Sequence, residues 1–188
     1  MKERKLLELT RAGNPILREV MPRVIIKEII SEEIQRLIAD MRYTNQHQLN
    51  SVGLAAPQVG TRAAVSVIGA SAKRHRPDRK EFESLEHTII NPTYEGIGDP
   101  VGMWEGCLSV GTGDDTLYGQ AMRYEEVKAE WHDEKGKSHK RVLKGFLAHI
   151  FQHETDHLNG VLFVDKVQDT TTFMMGDEYA TRIKGQSK

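Results

Sequence analysis

His153-Glu154-Thr155-Asp156-His157 is the stretch of this sequence that reads most directly as chemistry. Two histidines four residues apart stand one above the other on a helix, so both imidazoles can reach one metal ion. The glutamate beside the first histidine then projects next to the ion, where it can take a proton from water. A catalytic centre of this kind needs a third protein ligand and an open position. Three sources are conceivable. A continuation of the form H-E-x-x-H-x-x-G-x-x-H finds Gly160 in place but ends on Phe163, which cannot ligate. A glutamate from a later helix, as in thermolysin-like zinc peptidases, points to Glu178. The third source is Cys107, the only cysteine of the chain. A lone cysteine also fits a buried filler or a thiol nucleophile served by a histidine.

The elements around these residues follow from pattern. Residues 145–158 read as a helix with Phe146, Ile150, His153 and His157 on one face and Leu147, Phe151 and Leu158 on another, so it is expected to be buried. Asn159-Gly160 is its expected stop. An earlier amphipathic helix is predicted over 31–45, with Ser31 as N-cap and Ile34, Leu37, Ile38 and Met41 as its apolar stripe. Ser51 to Gly60 is rich in Gly and Ala and interrupted by Pro57, which predicts an extended segment with turns. Strands are predicted at 64–68, at 87–90 ending on Asn91-Pro92, at 126–131 and at 138–143, the last two joined by a hairpin turn containing Gly136. Residues 70–86 read as a polar surface loop. The fold class expected is α+β, with antiparallel or mixed sheets packed around the central buried helix that carries the histidines.

At Cys107 the sequence resembles a known family. Glu105-Gly106-Cys107-Leu108-Ser109 matches E-G-C-L-S, Gln152 to Leu158 matches Q-H-E-x-D-H-L, and Gly53 to Gln58 resembles the end of G-x-G-L-A-A-x-Q. These are the three signature motifs of the peptide deformylases, in the right order. Weaker similarity occurs at Asn14 to Arg18 and at Ile90-Asn91-Pro92, so the resemblance spans roughly 10–165. It implies a metal-dependent hydrolase that takes the N-formyl group from the N-terminal methionine of new polypeptides. A related acyl-amide hydrolase is the neighbouring alternative. By matching position the resemblance assigns Cys107, His153 and His157 as metal ligands and Glu154 as the proton carrier. It assigns the Gln58 side chain and the Leu108 backbone N–H as oxyanion donors. Val52, Gly53, Met103, Gly106, Phe146, His149 and Ile150 are placed at the substrate, with Gly53 admitting the peptide backbone in a strand-addition mode. Glu105 is expected to be structural, bonding backbone or an arginine. The resemblance implies Fe²⁺, although Cys with two His also suits Zn²⁺, Ni²⁺ or Co²⁺. The partners implied are formyl-methionyl nascent chains and, transiently, the ribosome.

The chain departs from the family at three places. Ser51 replaces the first glycine of the first motif, Val110-Gly111 stands where Val/Ile-Pro is usual, and Thr112 to Tyr118 matches poorly.

Composition sets the outer bounds. With 188 residues and no shift in composition, one catalytic domain over 1–188 is expected, its core about 10–165 and a tail over 166–188 carrying a short helix. Charge is balanced, 26 Lys+Arg against 27 Asp+Glu, so no nucleic-acid partner is suggested; Lys73-Arg74-His75-Arg76 reads as a solvated patch. Met1 to Arg11 lacks an apolar signal core, no run is long enough to span a bilayer, and one cysteine excludes an internal disulfide. The cytoplasm is the expected compartment.

Overall fold

The computed structural model describes residues 4–48, 51–69 and 88–183. The expected loop over 70–86, its basic patch and His87 lie outside them. Helix α1 (Glu32–His47) starts where the sequence places its cap, with Ser31 Oγ accepting the Ile34 N–H at 3.3 Å. Its stripe buries Ile38 and Met41 against β1 (Gly53–Ala55) and β2 (Val65–Ile68).

Strand β3 (Thr88–Ile97) corrects one expectation: it does not stop at Asn91-Pro92. Asn91 takes a left-handed φ of 53°, which Asn tolerates, and the pairing register shifts between Ile90 and Thr93. The Asn91 side chain exchanges two 2.8 Å hydrogen bonds with the Val24 backbone. The ladder is thereby carried past a proline that cannot donate to it.

Strands β4 (Val101–Gly106) and β5 (Leu117–Arg123) form a hairpin that the sequence did not signal. Strands β6 (Glu126–His132) and β7 (Ser138–Lys144) follow as expected, with Val127, Ala129 and Trp131 turned inward. Helix α2 (Gly145–Leu158) comes next, then the two-residue strand β8 (Met174–Met175) and the short helix α3 (Gly176–Arg182). The strands make two sheets, one ordered β1-β2-β3-β6-β7 and one ordered β4-β5-β8, with every described pairing antiparallel. The class is mixed α+β.

Helix α2 packs on all five strands of the larger sheet. Ala148, Ile150 and Phe151 share a core with Ile68, Ile89 and Trp131. Burying each large side chain contributes about 1.5–3 kcal/mol, so this contact fixes the helix without any help from its polar face. Among the described residues no helix is long and apolar enough to cross a membrane.

Candidate metal centre

Cys107 leaves the end of β4 in a tight turn, the Val110 N–H donating to its carbonyl at 2.9 Å. That turn faces the polar side of α2. Cys107 Sγ lies 3.3 Å from His157 Nε2, which lies 3.1 Å from His153 Nε2. The ligand atoms of all three residues fall within 4.8 Å of one another. Phe163, which breaks the longer histidine pattern, is fully buried in the core beside Cys107. Glu178 does not approach the centre. It is exposed on α3 and paired with Arg182 at 2.5 Å, which removes it as a third ligand.

Glu105 is the hub of the surroundings. Its carboxylate accepts from His153 Nδ1 at 2.5 Å, from His149 Nε2 at 2.6 Å and from Arg123 twice, at 2.8 and 2.9 Å. Arg123 reaches on to Asp156 at 2.5 Å, and Asp156 accepts from the Tyr94 hydroxyl at 2.9 Å. The arginine of the expectation is there; the two histidines were not foreseen. Burial alone would raise the Glu105 carboxyl, but the charge on His153 and the Arg123 and histidine hydrogen bonds hold it well below the usual range. Burial opposes charge on His153 too, and there the Glu105 carboxylate wins and raises it. Burial keeps His157 neutral, well below its usual value.

The donor set fits a divalent cation. Pinning His153 Nδ1 on Glu105 leaves Nε2 as the ligand atom, the usual carboxylate–histidine arrangement around a metal. Ser109 N–H and Gln58 Nε2 point at the Cys107 sulfur at 3.4 and 3.5 Å, as suits a thiolate.

Glu154 is buried beside the histidines, and its Oε2 has no hydrogen-bond partner among the described residues. Its carboxyl is pushed up to about 7, burial being the main cause; Glu105 adds to the rise and His153 opposes it. Gly53 is required by this side chain: a Cβ there would sit 2.3 Å from Glu154 Oε1. Close approach to the buried Glu154 carboxyl thus accounts for the glycine directly. Gln58 is held by its oxygen, which accepts the Ala55 N–H at 2.8 Å, so its NH₂ must face Cys107 and Ser109. The Leu108 carbonyl accepts Arg11 Nη1 at 2.9 Å, which fixes the Leu108–Ser109 peptide plane.

These groups border a cleft of about 270 Å³. Val52, Gly53, Gly106, Leu108, Phe146, His149 and Ile150 line it; Met103 is not brought to it. Alternation along β4 sets Met103 and Trp104 on opposite faces, and Trp104 takes the wall. His149 is turned onto Glu105, its ring edge against Phe146. Ser51 turns its hydroxyl to Asn45 and to the Gly53 carbonyl. Gly111 stands where proline is usual because a Cβ would lie 2.1 Å from the Asp115 carbonyl oxygen. Tyr118 and Tyr179 also line the cleft, and no sequence signal pointed to either.

A sulfur and two imidazoles facing one point, with a neutral-range carboxyl beside them in a cleft, define a metal-dependent hydrolase type of centre on an α+β frame. The profile of the polypeptide deformylase family matches residues 6–173. A peptide deformylase of Leptospira biflexa is 36% identical over 186 residues, covering 98% of each chain. An actinonin-bound class I type b peptide deformylase from Acinetobacter baumannii superposes with a TM-score of 0.72 at 30% identity, over 87% of this chain and 99% of that one. The same Acinetobacter enzyme with Met-Ala-Ser bound gives 0.72 at 32% identity, over 88% and 100%. The chain belongs to the polypeptide deformylase family of metal-dependent hydrolases.

Proposed function

We propose that this chain hydrolyses the N-formyl group from the N-terminal methionine of newly made polypeptides and releases formate. The meeting of Cys107, His153, Glu154 and Gln58 at one cleft, with His157 against Cys107 and His153 behind it, carries this reading. Cys107, His153 and His157 hold the ion. When bound, it would supply Lewis-acid polarisation and make water more acidic. Iron is the ion proposed, on the resemblance to the family; zinc, nickel and cobalt meet the same ligands.

Glu154 takes the proton of the attacking water at its free Oε2. As the formyl C–N bond breaks, it returns that proton to the departing amine. The carboxyl's rise to about 7 suits both halves of this task. Gln58 Nε2 and the Leu108 N–H donate to the oxygen as negative charge develops there. Val52, Phe146 and Ile150 receive the methionine side chain, and the peptide runs on along the cleft. The Acinetobacter relative with Met-Ala-Ser bound supports a peptide in this place.

The reading also takes 1–188 as one catalytic domain, with α2 as the central element and Met174–Met175 completing the smaller sheet. A cytoplasmic setting and transient contact with the ribosome follow from the substrate.

Formate release from formyl-Met peptides, with acetylated peptides as controls, tests the reading on protein purified under low oxygen with its metal measured. Formyl peptides turn over and acetyl peptides do not. Glu154→Ala keeps the metal and lowers turnover by roughly 10²–10⁴-fold. Metal-loaded protein that yields no formate overturns the proposal, and unchanged turnover in the variant removes Glu154 from its role.

A further inference from the structure

Helix α3 lies beyond the stretch matched by the family profile, which ends at residue 173, yet it reaches the cleft. Two contacts dock it. Met174–Met175 pair antiparallel with Leu117–Tyr118. Gly176 packs so closely on the loop before β5 that a Cβ would lie 2.7 Å from the Gly113 carbonyl oxygen. From there Tyr179 stacks on Tyr118, ring centroids 4.0 Å apart and planes within 6°, and tilts against Trp104 at 5.6 Å. Tyr118 in turn covers Gly106, where a Cβ would meet its ring at 2.8 Å. The aromatic cluster therefore begins one residue from Cys107, and all three rings border the same cleft as His153 and Glu154.

We infer that Tyr179 is a specificity-determining residue that reads the side chain following the methionine, favouring apolar and aromatic residues there. The inference rests on the deformylase reading. With the methionine side chain held by Val52, Phe146 and Ile150, alternation in an extended peptide turns the next side chain to the other wall. That wall is the face of Trp104, Tyr118 and Tyr179, which offers rigid apolar area for stacking. Asp114 and Asp115 stand exposed on the loop beside it and repel an acidic residue at that position.

Wild type, Tyr179→Leu and Tyr179→Phe are compared on formyl-Met-amide, formyl-Met-Ala, formyl-Met-Phe and formyl-Met-Asp. Wild type prefers Phe to Ala by about three- to tenfold in kcat/KM, the worth of one aromatic contact, and Asp is the poorest. Tyr179→Leu loses the Phe preference through KM, with formyl-Met-amide affected least; Tyr179→Phe keeps it. An equal loss on all four substrates in Tyr179→Leu means that the ring only props the wall, and overturns the inference. So does an unchanged preference. If wild type releases formate from none of them, the deformylase reading falls and takes this inference with it.

Discussion

The helix wall and the aromatic wall of the cleft are fixed by different forces. On the helix wall, Arg123, Glu105, Asp156, His149 and His153 form a buried charged network, with Arg123 and Glu105 side chains only 1% and 4% exposed. Each group there depends on the next, because an unpaired buried charge is costly. On the aromatic wall, Trp104, Tyr118 and Tyr179 meet by stacking, and the segment that carries Tyr179 is pinned by a two-residue strand. Stacking tolerates exchange of one apolar ring for another. Chemistry that needs fixed atoms sits on the first wall, and the second is free to vary with the substrate. Glu105, His153 and Asp156 of the first lie in the matched family motifs; the poorly matching 112–118 stretch contributes Tyr118 to the second.

The comparison breaks first at Arg123. Arg123→Met strands the Glu105 and Asp156 carboxylates and lowers stability by about 3–5 kcal/mol, read from urea unfolding of the metal-loaded protein. A loss below about 1 kcal/mol, the worth of a surface ion pair, shows that the network does not fix that wall.

Gln58→Ala is next. It removes one donor while the ligands stay, so kcat falls by roughly 10²–10³-fold with the metal content intact. A KM effect alone places Gln58 with the peptide instead.

Acid then separates proton from metal. In the metal-free protein the Glu105 charge overcomes burial and holds a proton on His153 well above the usual imidazole range. The ion must displace that proton, so affinity is full only above the raised pKa and weakens as pH falls below it, by about tenfold per unit for each proton displaced. Metal retained after dialysis at pH 5 and pH 8 measures this, and equal retention at both refutes it. The smallest effects are those of the aromatic wall, a few-fold in substrate preference with Tyr179→Leu.

Much of this was legible in the chain. The limits of α2, the Ser31 cap and the inward faces of β6 are periodic patterns, which neighbouring residues settle between themselves. Strand β3 ran past Asn91-Pro92 because its pairing partner and the Val24 backbone carry it through, and both are distant in sequence. The β4–β5 hairpin gave no signal, since β4 has no clean alternation of burial and the inward positions of β5, Gly119, Ala121 and Arg123, carry no large apolar side chain. Met103 was placed at the cleft by the resemblance alone, and its neighbour Trp104, which lines the cleft, was missed.

The sequence by itself determined the kinds of donor, sulfur, imidazole, carboxylate and amide, and set two imidazoles on one helix face, because helical spacing is local geometry. Only the tertiary structure brought Cys107 to His157 across 50 positions and Gln58 to Cys107 across 49. It also made Glu105 a hub and carried Tyr179 to the cleft. Such meetings depend on how sheets and helices close on one another, and that is settled by burial over the whole chain.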